Sequence, residues 1–217
     1  MNNYIFDLDG TIVNSSKEVL LCFKKAFEKT GYKVDEARLN SNVIGPPLRG
    51  IISLIAPELQ DEKIIESVIH NFRQFYDYDE NDITEMYEGM HELLLRLKNS
   101  GKKLFVATFK PKIPTFRILK KFGLDMFDDV YTIDKFEKHI TKEEMISDIL
   151  SRYSLDKNET VMLGDAPSDV IAAKNCSVTA AGALWGYGED KTPLIQNADF
   201  CITLEELDKL EGLAHRV

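Results

Sequence analysis

Short apolar segments alternate with longer segments of helical periodicity over most of the chain. The first apolar run, at 4–6, ends at a turn signal, and runs this short predict buried strands. Similar runs recur at 104–108, 129–133, 160–163, 178–184 and 200–202. Segments with apolar residues at helical spacing follow at 89–99, 111–122, 141–150, 169–174 and 204–211. This alternation predicts an α/β fold with a Rossmann-like parallel sheet and helices on both faces.

Residues 15–84 break the alternation, because their pattern is almost entirely helical. A polar, acidic segment at 77–82 then precedes the return of the strands. We therefore expect a core domain of residues 1–14 and 85–217, with a small all-helical cap domain of residues 15–84 inserted into it. The insertion could simply enlarge the core, but the acidic segment favours a separate, movable cap.

Composition narrows the possible partners. The 217 residues carry a net charge of −9, with 44% hydrophobic residues. This charge argues against a nucleic-acid polymer or an anionic membrane as the main partner. The N-terminus lacks the basic start of a signal peptide, and no stretch approaches the ~20 apolar residues of a membrane span. We expect a cytoplasmic protein, either a monomer or a homodimer.

Two aspartates one residue apart, Asp7 and Asp9, follow the first predicted strand. Open α/β sheets place their chemistry just beyond the carboxyl ends of the strands. Carboxylates this close need a cation or a shared proton to offset their repulsion. Gly10 then permits a sharp change of direction. The alternative is an ordinary acidic β-turn, whose composition would be similar.

Further polar residues stand at the ends of later strands. Thr108 ends the second strand, Lys142 opens a helix, and Asp165 and Asp169 follow the strand at 160–163. Taken singly, each has a structural explanation as a strand-end hydroxyl, a solvated lysine, a turn residue or a helix cap.

Together, and in this order, these residues resemble the motifs of the haloacid dehalogenase-like hydrolase superfamily. The matching stretches are Asp7-Leu8-Asp9-Gly10-Thr11, Ala107-Thr108, Lys142, and Gly164-Asp165-Ala166-Pro167-Ser168-Asp169. The helical insertion matches members that have an α-helical cap. Finer features resemble the phosphoglycolate phosphatase-like branch, namely 45–48, 108–111 and 182–188. The chain departs from that branch at Phe109, Ala166 and Cys176, which bears on the substrate and not on the chemistry.

The resemblance implies a Mg²⁺-dependent phosphatase that hydrolyses a small phosphate monoester through an aspartyl-phosphate. The substrate would be a small phosphorylated metabolite, either phosphoglycolate-like or a nucleoside monophosphate. The catalytic residues it implies are Asp7 as nucleophile, Asp9 as general acid and base, Thr108 and Lys142. The metal ligands it implies are Asp7, the main-chain carbonyl of Asp9, Asp165 and Asp169. The substrate-binding residues we expect are Gly10, Phe109, Lys110 and Arg49.

Two alternatives remain open at this stage. One is a β-phosphoglucomutase-like phosphomutase of the same superfamily, which returns the phosphoryl group to a sugar. The other is a catalytically degenerate binding or regulatory protein, which would have lost at least one catalytic group. The haloalkanoic-acid dehalogenases of the superfamily lack the second acid, so Asp9 favours phosphate esters.

Overall fold

The computed structural model of this protein describes residues 1–78, 83–136 and 140–212. The last four residues of the acidic segment at 77–82 lie outside this range. By its internal contacts the chain divides into two units. The first comprises Met1–Asn14, Met86–Gly186 and Asp190–Val217, and the second comprises Ser15–Glu85 with Tyr187–Glu189.

The first unit is built on a six-stranded sheet, and its strand pairings are parallel. Its strands are β1 Asn3–Phe6, β4 Lys103–Ala107, β5 Asp129–Tyr131, β6 Thr160–Gly164, β7 Thr179–Ala183 and β8 Phe200–Ile202. The remaining two strands, β2 Val13–Asn14 and β3 Glu85–Met86, form a separate two-stranded sheet. The strand order is β5-β4-β1-β6-β7-β8. The sequence prediction of an α/β fold with a parallel sheet is confirmed.

Helices cover both faces of this sheet. They are α4 Met90–Asn99, α5 Lys112–Lys121, α6 Lys142–Arg152, α7 Pro167–Asn175 and α8 Thr192–Asn197, with 3₁₀ helices at Lys157–Glu159 and Leu204–Leu210. Successive strand residues point to opposite faces. Tyr4 and Phe6 therefore pack in one apolar cluster with α4 and α5, while Ile5 packs in another with α6, α7 and α8. Because both faces are covered, the central strands are continuously apolar.

The second unit is helical. Its elements are α1 Ser16–Thr30, α2 Leu48–Ile55 and α3 Glu62–Arg73, two 3₁₀ turns at Glu36–Arg38 and Ser41–Val43, and a π-helical turn at Gln74–Tyr78. Phe23 of α1 and Phe72 of α3 meet with ring centroids 4.3 Å apart, at the centre of its own apolar cluster. Tyr187 joins this unit because its hydroxyl accepts a hydrogen bond from the Ser15 amide at 2.8 Å.

Among the described residues, no helix combines the length and the apolar character that crossing a bilayer requires.

Candidate active site

Three adjacent strands bring the motif residues to one edge of the sheet. Phe6 at the end of β1 is in register with Val106 of β4 and with Leu163 of β6. The residues just beyond these positions, including Asp7, must therefore lie at the same level. β1 sits where the chain order reverses, the point at which open α/β sheets bind their ligands.

Lys142 reaches this edge from the first turn of α6. Thr141 caps that helix: its hydroxyl accepts from the Glu144 amide at 3.2 Å, and the Glu144 carboxylate accepts from the Thr141 amide at 2.9 Å. This reciprocal cap fixes where α6 begins. The direction of the side chain follows, and Lys142 is only 3% exposed.

The ammonium of Lys142 makes three close contacts. Its Nζ lies 2.7 Å from Asp7 Oδ1 and 2.9 Å from Asp169 Oδ1, and it donates to the main-chain oxygen of Ala107 at 2.7 Å. Burial alone would lower the pKa of Lys142, but Asp169 and Asp7 outweigh that effect and raise it. The lysine is therefore a fixed positive charge between two carboxylates.

Three buried carboxylates, those of Asp7, Asp165 and Asp169, form a cluster whose oxygens lie within 4.8 Å of one another. Burial raises the pKa of Asp7 well above its usual value; Lys142 opposes the shift, and the charges of Asp169 and Asp165 add to it. Three carboxylates with one ammonium leave an excess of negative charge. The hard oxygen donors and this excess fit a bound Mg²⁺.

Asp9 lies in a different environment from Asp7. Both of its carboxylate oxygens accept from the ammonium of Lys110, at 2.8 and 2.9 Å. The Lys110 side chain is 4% exposed and the Asp9 side chain is 23% exposed, so this ion pair is partly buried. The Lys110 amide also donates to the Thr108 hydroxyl at 3.1 Å. The lysine expected to bind substrate is thus held against the expected general acid and base.

Glycines allow the backbone to approach the cluster closely. Gly10 has a φ of +80°, and a Cβ at this position would lie 2.2 Å from Asp165 Oδ2. A Cβ at Gly164 would lie 2.3 Å from Asp169 Oδ2. Any larger residue at either position would displace a carboxylate of the cluster, so the loops depend on glycine here.

Thr108 and Phe109 complete the edge. Thr108 is buried, and its amide donates to the Tyr131 oxygen at 2.9 Å. The Phe109 ring is 43% exposed, and the ammonium of Lys142 lies 4.9 Å from its centroid. The structure therefore brings the sequence-predicted site residues of the first unit to the same end of the sheet.

Comparison with known proteins agrees with this geometry. A family model described as "Haloacid dehalogenase-like hydrolase" matches residues 4–183. The chain belongs to this family. "Pyrophosphatase PpaX" of Halalkalibacterium halodurans is 31% identical over 195 residues, 88% of this chain and 87% of that protein. The resemblance found in the sequence is thereby confirmed at the level of the family.

Solved structures show the same fold. "A predicted phosphatase from Clostridium acetobutylicum" superposes with a TM-score of 0.82 at 27% identity, covering 98% of this chain and 99% of that one. "A predicted phosphoglycolate phosphatase" from Haemophilus somnus gives a TM-score of 0.84 at 23% identity, covering 97% of each chain. At 23% identity the similarity to the second structure supports only a shared fold.

Arg49 belongs to the second unit of this haloacid dehalogenase-like protein. Its guanidinium forms ion pairs with Glu62, at 3.0 Å, and with Glu66. Its side chain is 52% exposed. Ion pairs as exposed as these contribute little to stability.

Sequence reasoning missed two groups at the site. The carbonyl of Ala107 binds Lys142, and a main-chain acceptor gives no signal in the side-chain pattern. The Thr11 hydroxyl donates to Asp165 Oδ1 at 3.4 Å. Thr11 was within the quoted motif, but only the fold shows that it faces Asp165, which is 154 residues away in the chain.

Proposed function

We propose that this protein is a Mg²⁺-dependent phosphatase that transfers the phosphoryl group of a small phosphate ester to Asp7 and then to water. One observation carries the proposal: a buried carboxylate is held 2.7 Å from a buried ammonium, within a cluster of three carboxylates. A second carboxylate, that of Asp9, follows two residues later. Membership of the haloacid dehalogenase-like family supports the same chemistry.

Asp7, Asp165 and Asp169 would hold the metal with their side chains, and Asp9 would do so with its main-chain carbonyl. When bound, Mg²⁺ supplies positive charge that offsets the approach of an anionic nucleophile to an anionic phosphate. Without such compensation, attack by the Asp7 carboxylate on a phosphate dianion would be electrostatically uphill.

Asp7 would attack phosphorus, forming an acyl-phosphate bond as the bond to the leaving oxygen breaks. Lys142 would stay beside both the nucleophile and the transferred oxygens, and its buried charge needs no reorganisation during the reaction. The hydroxyl of Thr108 and the main-chain amide of Phe109 would bind the remaining phosphate oxygens. Gly10 would keep the first loop close to the phosphate.

Asp9 would donate a proton to the leaving oxygen in the first step. In the second step it would take a proton from the water that attacks the aspartyl-phosphate, releasing inorganic phosphate and free Asp7. Lys110 touches both oxygens of Asp9. It can therefore orient this carboxylate and add positive charge near the leaving group.

The second unit, Ser15–Glu85 with Tyr187–Glu189, would act as the cap. Caps of this kind close over a bound substrate and exclude water. Arg49 is our candidate for a residue that grips the substrate's own anionic group, because a guanidinium can bind a carboxylate or phosphate bidentately. It would have to exchange Glu62 and Glu66 for that group.

Two substrate classes are favoured. The sequence resemblance favours a phosphoglycolate-like ester or a nucleoside monophosphate. The similarity to "Pyrophosphatase PpaX" over 88% of the chain favours inorganic pyrophosphate. Phosphoglycolate and pyrophosphate both place a second anionic group near the bond that breaks, which suits the lysine at Asp9.

A parallel phosphate-release assay tests the proposal. The purified protein is given 2-phosphoglycolate, nucleoside monophosphates, sugar phosphates and pyrophosphate, each with Mg²⁺ and with EDTA. We expect Mg²⁺-dependent release from at least one of them. Conversion of β-glucose 1-phosphate into glucose 6-phosphate without phosphate release would instead identify a mutase, and inactivity on all substrates would favour a binding protein.

Intermediate trapping tests the nucleophile separately. With an aryl phosphate, whose leaving group needs no proton, Asp9→Asn should still form the acyl-phosphate but should hydrolyse it slowly. Mass spectrometry after acid quenching should then find a phosphoryl group on the peptide that contains residue 7. Asp7→Asn should show no such adduct, and turnover by Asp7→Asn at the wild-type rate would refute the mechanism.

A further inference from the structure

The side chain of Asp165 is enclosed by two loops of the first unit. One is the loop after β1, where a Cβ at Gly10 would lie 2.2 Å from Asp165 Oδ2. The other is the loop after β7, where a Cβ at Gly186 would lie 2.1 Å from Asp165 Cβ. Both distances are far below any real Cβ contact, so both backbones pack directly against this carboxylate. The position of Asp165 therefore depends on how these two loops are held together.

The side chain of Trp185 joins the two loops. The indole Nε1–H of Trp185 donates to the main-chain oxygen of Thr11 at 3.1 Å. Trp185 directly precedes Gly186, and Thr11 directly follows Gly10. The same Thr11 donates its hydroxyl to Asp165 Oδ1 at 3.4 Å. The indole thus fixes the residue that in turn hydrogen-bonds the carboxylate.

The indole itself is held in place. The ring of Tyr87 packs edge-on against it, with centroids 6.1 Å apart. The Tyr87 amide donates to the Ile12 oxygen at 3.1 Å, which anchors this tyrosine to the same loop after β1. Edge-to-face pairs of this kind stabilise an aromatic ring beyond the effect of burial. The Trp185 N–H is therefore aimed at Thr11 by packing.

We infer that Trp185 is a positioning residue for the carboxylate of Asp165: it clamps the two loops that enclose this side chain and so sets the affinity for Mg²⁺. The inference rests on the proposed function only in taking Asp165 as a metal ligand. Residues that orient metal ligands typically change metal affinity by about 10–100-fold when they are replaced. Trp185 contacts no reacting atom in this scheme and acts only through Thr11 and Gly186.

Metal affinity measured by titration calorimetry with Mg²⁺ tests the inference without reference to turnover. Trp185→Phe keeps an aromatic ring for Tyr87 but lacks the N–H. We expect it to bind Mg²⁺ about tenfold or more weakly than the wild type. Tyr4→Phe is the matched control, because it also removes one side-chain donor to a main-chain oxygen, that of Leu210 at 2.8 Å. This control should bind Mg²⁺ as the wild type does.

A second pair of variants keeps the test valid if Trp185→Phe fails to fold. Thr11→Val removes the hydroxyl and keeps the shape, whereas Thr11→Ser keeps the hydroxyl. We expect weaker Mg²⁺ binding for Thr11→Val and recovery for Thr11→Ser. In the double variant with Trp185→Phe, the losses should be less than additive, because both act on one carboxylate.

The outcomes separate this inference from the proposed function. Equal Mg²⁺ affinity in Trp185→Phe and the wild type, with a folded variant, overturns the positioning role and leaves the phosphatase proposal intact. Equal weakening in Tyr4→Phe also overturns it, because the effect would then reflect general loosening. A wild type that binds no Mg²⁺ overturns both proposals.

Discussion

Replacing Asp7 with asparagine should stabilise the metal-free protein while it abolishes turnover. Asparagine keeps the shape and can still accept a hydrogen bond from Lys142, but it removes one of three clustered negative charges. Because burial raises the pKa of Asp7 well above its usual value, the ionised carboxylate costs free energy in the folded state at neutral pH. An active-site group that opposes folding in this way is a stability cost of function.

The repulsion of Asp7 by Asp165 and Asp169 nearly cancels its attraction to Lys142. The loss of hydration on burial therefore decides whether the charge of Asp7 stabilises or destabilises the fold. Because the carboxylate oxygens lie within 4.8 Å of one another, the repulsion is at least about 3.5 kcal/mol per pair at an effective dielectric constant of ~20, or about 7 kcal/mol for Asp165 and Asp169 together. Attraction to Lys142 at 2.7 Å is about 6 kcal/mol on the same scale. Loss of hydration costs several kcal/mol more. Asparagine accepts a weaker hydrogen bond from Lys142 than the carboxylate does. With this loss included, we expect the free energy of unfolding of Asp7→Asn to rise by about 2 kcal/mol, which corresponds to a Tm rise of about 4–8 °C.

The effect should depend on pH with a defined sign. A carboxyl whose pKa is raised above the unfolded value of 3.8 stabilises the fold fully below that pH. This contribution is lost as the pH rises through the folded-state value. The difference in Tm between Asp7→Asn and the wild type, measured in EDTA, should therefore be small near about pH 4 and should grow towards neutral pH.

Asp129→Asn is the matched control with the opposite sign. Burial would raise the pKa of Asp129, but hydrogen bonds from Lys135, the Val130 amide and the Tyr153 hydroxyl outweigh it and lower the pKa. Removing this charge should lower the Tm at neutral pH. Thermal melts in EDTA measure the Tm of each variant relative to the wild type. A lower Tm for Asp7→Asn, or shifts of the same sign in both variants, would refute the reasoning.

Three further predictions concern residues around the cluster. Lys142→Met should destabilise the metal-free protein by about 3–5 kcal/mol, because it leaves buried carboxylates without their cation, and added Mg²⁺ should recover part of this loss in thermal melts. Gly10→Ala should lose both stability and Mg²⁺ affinity. Gly31→Ala is the control, because Gly31 has a similar φ of +75° but no atom lies within 4 Å of the new Cβ. This control should lose stability alone. Lys110→Met should lower kcat by about 10–100-fold, and its Mg²⁺ affinity in calorimetry should be unchanged. An equal loss of kcat and of Mg²⁺ affinity would instead indicate that Lys110 acts at the metal site.

The sheet was predictable because its strands are short and buried on both faces, so their apolar runs are uninterrupted. The smaller elements were not. Helix α8 has six residues and one buried side chain, Leu194, which is too little to form a periodic pattern. The helix expected at 204–211 is a 3₁₀ helix at Leu204–Leu210. Its leucines, at 204, 207 and 210, recur every third residue, which is the period of a 3₁₀ helix and not of an α-helix.

The convergence of the candidate residues was predictable, and the contacts between them were less so. Residues that follow the ends of adjacent parallel strands must converge, so Asp7, Thr108 and Asp165 were expected at one edge. The clamp of Trp185 on Thr11 was not expected, because the two residues are 174 positions apart. A hydrogen bond from an indole to a main-chain oxygen cannot be predicted from the pattern of side chains, because every residue has a main-chain oxygen.

The least expected feature is the separation of Asp7 from Asp9. Residues two apart on an extended strand would share a face and one environment. The strand β1 ends at Phe6, before either aspartate, so the extended geometry does not continue through the pair. Lys142 contacts Asp7, and Lys110 contacts Asp9. Because Lys110 follows β4, the neighbour of β1, the pairing depends on strand order and not on any local motif. In the proposed mechanism, the two separate ion pairs would reserve one carboxylate for phosphorus and the other for protons. This division of labour is what a hydrolysis in two steps requires.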